Sequence, residues 1–245
     1  MRRIAIVFEY VGTNFSGYQS QPQKRTVQGE MESIISLILD QPTKIYASGR
    51  TDSGVHSLGQ VAHFDIEKSF NLGWFQDKLN SLLPEDISIQ KVFEAEEGFD
   101  SRFSVKEKTY GYRFYLSRYE RATMRNRALR VNDNVDIEKM KEACKYLIGE
   151  HDFKSFVARK SGKEDFVRTV YSAYINELTD GLYEFCISGN GFLYNMVRII
   201  VGTLIDIGSG RKKPEDMKKI IDGKDRNLAG KTVAPYGLYM KSVKY

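Results

Sequence analysis

The sequence predicts an α+β fold made of two halves that share the element order βαββαβ. Three observations lead to this prediction: apolar alternation with period two marks strands, apolar spacing of three and four marks helices, and the same order occurs twice without repeated sequence. This order is typical of ferredoxin-like domains. We therefore expect two antiparallel sheets fused side by side around a central cleft, with the first half over residues 1–103 and the second over 104–245.

The elements of the first half follow from strand-type alternation and from helix-capping side chains. Thr26 and Asn71 each precede an apolar helical pattern, where a side-chain oxygen can accept an unpaired backbone N–H. The predicted elements are, in order, a strand over 2–10, a helix after Thr26, strands near 44–48 and 60–66, a helix after Asn71 that Pro84 stops, and a strand over 87–93.

The second half has the same order of elements with different residues. Its elements are a strand over 105–116 with Tyr110, Tyr112, Phe114 and Leu116 on one face, a helix that Asp136 opens and Gly149 ends, strands near 166–178 and 182–188, a helix over about 192–207, a short helix from Pro214 and a strand over 236–243. The segment Thr179-Asp180-Gly181 predicts a tight turn between the two middle strands.

Composition places the chain among globular proteins. The 245 residues are 41% hydrophobic and 28% charged, and no apolar run approaches the roughly 18 residues that a membrane span needs. The N-terminal apolar segment is too short and too soon charged again for a signal peptide. Cys144 and Cys186 each lie in an apolar pattern, so we expect them to pack as small hydrophobic side chains rather than to pair. We expect a cytoplasmic protein.

The charge distribution admits a polyanionic partner. The net charge is +5 and the sequence pI is about 9.0. A run of charges is usually a solvated surface, but the arginine content of these segments favours contacts with phosphate groups. The three basic clusters are Arg118, Arg121, Arg125, Arg127 and Arg130; Lys154, Arg159, Lys160, Lys163 and Arg168; and Arg211, Lys212 and Lys213.

A glycine-rich polar segment between two short apolar runs is the first functional candidate. It reads Gly49-Arg50-Thr51-Asp52-Ser53-Gly54-Val55-His56. Loops of this kind on a rigid scaffold often carry catalytic side chains, and the alternative is a polar turn in which Asp52 and Ser53 bond to their own backbone. A metal site at His56 and His63 is not expected, because no third ligand lies near them in the sequence.

Arg198 is the second candidate, because the predicted helix around it is apolar on nearly every face. An unpaired buried charge costs several kcal/mol, so the guanidinium needs a carboxylate or several carbonyl groups as partners. We expect the partner to be Asp52, whose ionised form a nearby positive charge would favour. The alternatives are that Arg198 extends to the rim or pairs with Asp206 or another acid.

These segments resemble the tRNA pseudouridine synthase A family over almost the whole chain. The segment from Arg50 to His56, with Gly59-Gln60-Val61, is similar to the family's catalytic loop. The other similar segments are Tyr10-Val11-Gly12-Thr13, Arg25-Thr26-Val27-Gln28, Ser101-Arg102-Phe103-Ser104 with Lys108-Thr109-Tyr110, Asn195-Met196-Val197-Arg198, and Ala234-Pro235-Tyr236-Gly237-Leu238. The sequence departs from the family's usual residues at Ser53 for alanine, Val11 for aspartate and Asp100 for histidine.

The resemblance implies an isomerase that converts uridine to pseudouridine at positions 38, 39 and 40 of the tRNA anticodon stem-loop, as a homodimer and without a cofactor or metal. It implies that Asp52 is the catalytic carboxylate and that Tyr110 is the active-site tyrosine, either a stacking surface or a proton carrier. It places Arg50 and Leu238 at the substrate, with Arg50 filling the gap left in the RNA or holding a phosphate. The absence of a phosphate-binding loop or dinucleotide motif agrees with a reaction that needs no cofactor.

Two other functions are compatible with parts of the pattern. The order βαββαβ also occurs in RNA-recognition modules, although their aromatic-glycine sheet signature is missing here. A hydrolase that uses Asp52 as a general base would need a second acid or base, and the loop offers only His56 for that role. Whether Asp52 attacks C1′ or C6 stays open at this stage.

Overall fold

The computed structural model describes residues 1–158, 165–179 and 181–245, and it has the predicted α+β class. The strands are β1 (Arg2–Tyr10), β2 (Tyr46–Ala47), β3 (His56–Ile66), β4 (Ile87–Glu94), β5 (Glu107–Leu116), β6 (Leu129–Val131), β7 (Gly149–Asp152), β8 (Val167–Thr179), β9 (Leu182–Gly189) and β10 (Leu238–Lys244). The helices are α1 (Val27–Leu39), α2 (Leu72–Leu82), α3 (Ile137–Cys144), α4 (Met196–Gly208) and α5 (Asp216–Gly223).

The residues form two compact units. The first comprises Met1–Lys106 together with Met240–Tyr245, and the second comprises Glu107–Tyr239. The second unit is therefore inserted into the sequence of the first, whose last residues are Met240–Tyr245.

The first unit places two helices against a sheet in which β1 pairs antiparallel with β3 and β4. Its strands have the order β4-β1-β3-β10, and β2 pairs with β3. The predicted caps are confirmed, because Thr26 accepts the N–H of Gly29 and Asn71 accepts the N–H of Trp74. One hydrophobic cluster fills the space between the sheet and the helices, with Ile4, Ile6 and Phe8 from β1, Met31 and Ile35 from α1, and Phe75 and Leu79 from α2.

The second unit contains the strand order β5-β9-β8-β7, with the short strand β6 parallel to β5. The strands β6 and β7 were not predicted, because three or four residues carry too little alternation. β8 ends at Thr179 and β9 begins at Leu182, and Asp180 of the predicted turn lies outside the described residues. The face prediction for β5 is confirmed for Tyr112 and Phe114, which are fully buried, and it missed Tyr115, which is buried as well.

Two helix boundaries in the second unit differ from the prediction. The helix capped by Asp136 ends at Cys144 and continues as a 3₁₀ turn over Lys145–Leu147, short of the predicted end at Gly149. The helix predicted from residue 192 begins only at Met196, because Asn195 takes a left-handed conformation with φ of 61°. A left-handed residue interrupts helical hydrogen bonding, so the apolar residues before it are not helical.

Three further expectations concern cysteines, membranes and metals. Cys144 and Cys186 are buried and form no disulfide in the described part of the chain, and the Cys186 thiol donates to Oε2 of Glu184 at 3.2 Å. Within residues 1–158, 165–179 and 181–245, no helix combines the length and the apolar content needed to cross a membrane. The same ranges contain no group of three potential metal ligands.

Candidate active site

The Asp52 loop is a tight turn in the first unit, between β2 and β3. The N–H of Val55 donates to the carbonyl oxygen of Asp52 at 3.2 Å, and Gly54 has φ of 79°. A turn with positive φ at its third residue is best made by glycine, which explains Gly54. The hydroxyl of Ser53 donates to the carbonyl oxygen of Phe15 at 3.0 Å. The chain forms the predicted turn, but the Ser53 hydroxyl bonds to Phe15 rather than to its own backbone. The side chain of Asp52, the first residue of the turn, is half-buried.

Residues before α1 fix the segment next to Asp52. The hydroxyls of Tyr10 and Thr51 share a buried hydrogen bond of 2.7 Å, and the N–H of Tyr18 donates to the carbonyl oxygen of Thr51 at 3.1 Å. Burial raises the pKa of Tyr10 to about 12, so this hydroxyl remains protonated and available for the bond. Thr51 is thus bonded through its side chain and its backbone, immediately before the candidate carboxylate.

Two glycines let the opening segment approach the loop closely. A Cβ at Gly12 would overlap the carbonyl group of Val55, whose carbon would lie only 2.6 Å away. A Cβ at Gly17, which has φ of 98°, would lie 3.1 Å from the carbonyl oxygen of Thr51. Glycine is used where two backbones approach this closely, so these positions determine where the loop lies.

His56 is part of this framework. It is buried, and its Nδ1 accepts the backbone N–H of Gly12 at 3.1 Å. A ring nitrogen that accepts from an N–H carries no proton, which assigns the neutral tautomer with hydrogen on Nε2. His63 also uses Nδ1, with the hydroxyl of Ser101 at 2.8 Å. In both histidines Nδ1 is thus occupied by a hydrogen bond.

The start of the loop is fixed by a buried amide. Gln60 is fully buried, and its Oε1 accepts the hydroxyl of Ser48 at 2.7 Å while its Nε2 donates to the carbonyl oxygen of Gly49 at 3.0 Å. The next residue, Arg50, is exposed. The loop therefore presents an exposed guanidinium at Arg50 and a half-buried carboxylate at Asp52 from a backbone that is held at both ends.

Arg198 lies in the first turn of α4, in the second unit. It is half-buried; its Nε donates to the carbonyl oxygen of Val233 at 2.8 Å, and Nη1 donates to Oδ1 of Asn195 at 2.7 Å. The alternative partner Asp206 instead accepts from Arg211, with a shortest distance of 2.6 Å. A side-chain amide and a carbonyl group thus orient the guanidinium.

Close packing fixes the segment that carries Val233. A Cβ at Gly230 would lie 2.6 Å from the backbone of Gly202 in α4. The N–H of Gly230 donates to the hydroxyl of Thr203 at 2.8 Å. The orientation of Arg198 therefore depends on the sequence around residues 230–233 as well as on α4.

Tyr110 and Leu238 also belong to the second unit. Tyr110 is half-buried on β5 opposite Ile187, and its ring meets Phe192 edge-on, with a centroid distance of 5.1 Å and an interplanar angle of 80°. Its neighbours Tyr112 and Phe114 on the same strand are fully buried, so Tyr110 differs from them in exposure. Leu238 begins β10 after a 3₁₀ turn and is only 7% exposed.

Each of the three predicted basic clusters contains an arginine that forms an ion pair with an acidic residue. Arg130 pairs with Glu120, Arg211 with Asp206, and Arg168 with Asp165. In the second cluster, Arg159, Lys160 and Lys163 lie outside the described residues.

The sequence analysis missed the residues that support the loop. Tyr10 and Gly12 were noted only as part of the opening segment, and Gln60 only as part of the flank of the loop. The signal available was their place in segments that resemble the family. A tyrosine hydroxyl or a buried glutamine amide carries no periodicity that would reveal its partner.

Comparison with known proteins finds relatives along the whole chain. The family model described as tRNA pseudouridine synthase matches residues 6–104 and 143–245. A protein of Caldicellulosiruptor bescii named tRNA pseudouridine synthase A is 43% identical over 245 residues, which is 100% of each chain. The proteins of that name from Anoxybacillus flavithermus and Bacillus subtilis are 45% and 43% identical and cover 100% and 99% of this chain, in each case matching 99% of the relative.

Similarity to solved structures is weaker. A chain of the archaeal box H/ACA sRNP Nop10-Cbf5 complex is 13% identical, with a TM-score of 0.34, and the match covers 97% of this chain and 46% of that chain. This chain thus spans less than half of that chain, and neither fold nor function follows from a similarity of this size.

Proposed function

This chain belongs to the tRNA pseudouridine synthase family and is an isomerase that acts on tRNA, and we propose that it converts uridines 38, 39 and 40 of the anticodon stem-loop to pseudouridine with Asp52 as the catalytic carboxylate. The observation that carries the proposal is the support of the loop. Thr51 and Val55, on either side of the carboxylate, are buried, and Thr51 is bonded to Tyr10 and Tyr18. A catalytic group held in this way needs little reorganisation during the reaction.

The reaction requires the target base to leave the RNA stack, since its C5 and N1 atoms are not accessible to a carboxylate inside a helix. We propose that the uracil ring stacks on Tyr110 and packs against Leu238, and that Arg50 occupies the space left in the RNA or holds a phosphate. Stacking on an aromatic side chain contributes roughly 1–3 kcal/mol per base, which offsets part of the cost of extrusion. The exposed position of Arg50 supports its role, since its guanidinium is accessible to RNA.

The chemistry is an isomerisation in which every atom is retained. The bond between N1 and C1′ breaks with assistance from the Asp52 carboxylate, which attacks either C1′ or C6. The uracil then turns, C5 bonds to C1′, the proton on C5 is lost, and N1 gains a proton. No oxidant, water or donor group is consumed. Tyr110 is the candidate for stacking the ring or accepting the C5 proton.

Arg198 is proposed as a positioning residue, and its pairing with Asp52 stays a prediction from the sequence. The support is the orientation of the guanidinium by Asn195 and Val233, which would be unnecessary for an arginine that only solvates the surface. An oriented guanidinium binds a carboxylate through two parallel hydrogen bonds and keeps it ionised.

We also propose a ferredoxin-like plan for each half and a homodimer in the cytoplasm. The element order β1-α1-β2-β3-α2-β4 of the first unit supports the plan there. The homodimer is tested by light scattering during size-exclusion chromatography at two protein concentrations, where a monomer mass near 28.1 kDa at both would reject it.

The test of the function is tritium release from tRNA labelled at C5 of uridine, without added cofactor, followed by mapping of the modified positions. Asp52→Asn should abolish release and leave tRNA affinity within about threefold, since the amide keeps the size of the side chain and cannot act as a nucleophile. Asp77→Asn, which removes an exposed carboxylate on α2, is the matched control and should behave like the unmodified protein. Full activity of Asp52→Asn would show that this carboxylate is not catalytic.

A further inference from the structure

The segment that links β5 to β6 in the second unit has a composition suited to phosphate groups. We call residues 117–128 the arginine loop; it carries Arg118, Arg121, Arg125 and Arg127 and a single acid, Glu120. It lies between the two ranges that the family model matches, 6–104 and 143–245. The strands on either side are parallel, so a crossover is required there, but nothing in a crossover requires four arginines.

The backbone of the arginine loop is anchored at several points. The hydroxyl of Tyr239 donates to the carbonyl oxygen of Arg127 at 2.9 Å, and the N–H of Arg121 donates to the hydroxyl of Tyr115 at 3.1 Å. Nη1 of Arg130 donates to the carbonyl oxygens of Ser117 and Arg118, at 3.2 and 3.3 Å. Anchored loops lose less conformational freedom when they bind a partner, so this loop is preorganised.

The positive charge of the loop is not cancelled within it. Glu120 accepts the hydroxyl of Tyr115 at 2.8 Å and Nε of Arg130 at 2.9 Å, and these two bonds lower the pKa of its carboxyl group. Arg118, Arg125 and Arg127 are exposed, and in the part of the chain that the structure describes none of the three forms an ion pair.

An exposed aromatic ring accompanies these arginines. Tyr119 is 70% exposed, and Cζ of Arg118 lies 5.5 Å from the centre of its ring. Guanidinium groups beside an exposed aromatic ring are a combination that contacts both phosphates and bases in nucleic acids. An acidic protein surface would be served equally well by lysine and would not require the ring.

We propose that the arginine loop binds the phosphate backbone of the tRNA, with Arg118, Arg125 and Arg127 each contacting a phosphate. This inference rests on the proposed function, because it takes tRNA as the ligand. The guanidinium groups bind phosphate oxygens through paired hydrogen bonds, and each contact releases counterions from the RNA. The loop therefore contributes to affinity and to the salt dependence of binding, and it does not contact the reacting base.

The experiment measures the tRNA dissociation constant by fluorescence anisotropy between 50 and 200 mM salt, for the full chain and for Arg118→Gln/Arg125→Gln/Arg127→Gln. Each phosphate contact contributes about 0.7 to 0.9 to the slope of log K against log salt. Loss of three contacts should reduce the slope by about 2 to 3. When the salt concentration rises fourfold, the affinity of both proteins falls. The factor by which it falls should be about 20 to 40 times smaller for the variant than for the unmodified protein.

The matched control is Lys139→Gln/Lys141→Gln/Lys219→Gln, which removes the same charge from lysines that pair with acids on their own helices. Its slope should change by less than about 1, since the paired carboxylates offset the charge of these ammonium groups. Replacement of the three loop arginines by lysine should retain most of the slope. A partly unfolded variant would lose binding amplitude without a change in slope, so the readout does not depend on stability.

An unchanged slope in Arg118→Gln/Arg125→Gln/Arg127→Gln would overturn the proposal. An equal change in slope in Lys139→Gln/Lys141→Gln/Lys219→Gln would also overturn it, because the slope would then reflect only the total charge. A change in oligomeric mass with an unchanged slope would show that the loop contacts a second copy instead. These results are distinct from failure of the proposed function, which would appear as absent tritium release from the unmodified protein.

Discussion

Replacement of Gly12 by alanine tests whether the opening segment positions the catalytic loop. The added Cβ would overlap the carbonyl group of Val55, with the carbonyl carbon at 2.6 Å and the backbone nitrogen at 3.0 Å. Carbon atoms in contact are normally about 3.5–4.0 Å apart, so one of the two backbones must move by roughly 1 Å. Gly12 does not have positive φ, so alanine introduces no strain of its own and the whole effect arises from this contact.

The magnitude follows from that displacement. Overpacking of this kind typically costs about 1–3 kcal/mol of stability. Misplacement of a catalytic group by about 1 Å costs on the order of 100-fold in rate, which corresponds to about 2.7 kcal/mol in the activation barrier. We therefore expect kcat for tritium release at saturating tRNA to fall about 100-fold in Gly12→Ala, with the tRNA dissociation constant within about threefold of the original.

The control is Gly73→Ala in the first turn of α2. There the new Cβ would meet only the side-chain oxygen of Asn71, at 3.3 Å, and alanine favours a helix. Its stability should change by less than about 1 kcal/mol and kcat should not change. If Gly12→Ala retains kcat within twofold, whether or not it is destabilised, the opening segment does not position the loop.

Four further predictions concern hydrogen bonds, titration and the guanidinium group of Arg198. Tyr10→Phe loses the bond to Thr51 and should cost about 1 kcal/mol in urea unfolding at pH 8, whereas Tyr18→Phe should be neutral or stabilising, because the buried Tyr18 hydroxyl has no hydrogen-bond partner among the described residues. Since the pKa of Tyr10 is raised to about 12, its contribution to stability should be lost as the pH rises from 10 to 12, and Tyr10→Phe should lack that loss. Burial lowers the pKa of His63 from its usual value, so on acidification the unfolded chain takes up a proton at this residue before the folded chain does. The free energy of unfolding should therefore fall as the pH drops below 6.5, and it should fall less in His63→Asn. Urea unfolding at pH 8 and at pH 5.5 measures both effects. Arg198→Lys removes the planar fork and should lower kcat about 100-fold with a melting temperature within a few degrees, and an unchanged kcat would contradict the positioning role.

The sequence predicted those features that depend on neighbouring residues. The caps at Thr26 and Asn71 were predictable because capping is a matter of one side chain and the next turn. The start of α4 was not, because an apolar run does not reveal that Asn195 takes a left-handed conformation while its side chain accepts from Arg198. The short strands β6 and β7 form only because longer strands lie beside them.

In the candidate site, too, the features set by neighbouring residues were predictable and those set by distant contacts were not. Asp52 was predicted as the catalytic carboxylate from a contiguous motif, whereas the support of its loop by Tyr10, Gly12 and Gln60 depends on contacts between residues far apart in the sequence. His56 illustrates the consequence. The sequence offered it as a second acid or base beside Asp52, and the structure shows that Nδ1 accepts a backbone N–H from Gly12. Backbone partners of this kind have no signature in residue type.

The position of Met240–Tyr245 has a consequence for synthesis of the protein. These residues belong to the first unit. There the hydroxyl of Ser57 donates to the carbonyl oxygen of Met240, and the hydroxyl of Tyr245 donates to the carbonyl oxygen of Ser101. They leave the ribosome only after the entire second unit. Until then β3, which directly follows the Asp52 loop, pairs with β1 and β2 but lacks its other neighbour, β10. A nascent chain that stops before residue 240 therefore contains Asp52, Tyr110 and Arg198, while the sheet of the first unit still has an open edge at β3.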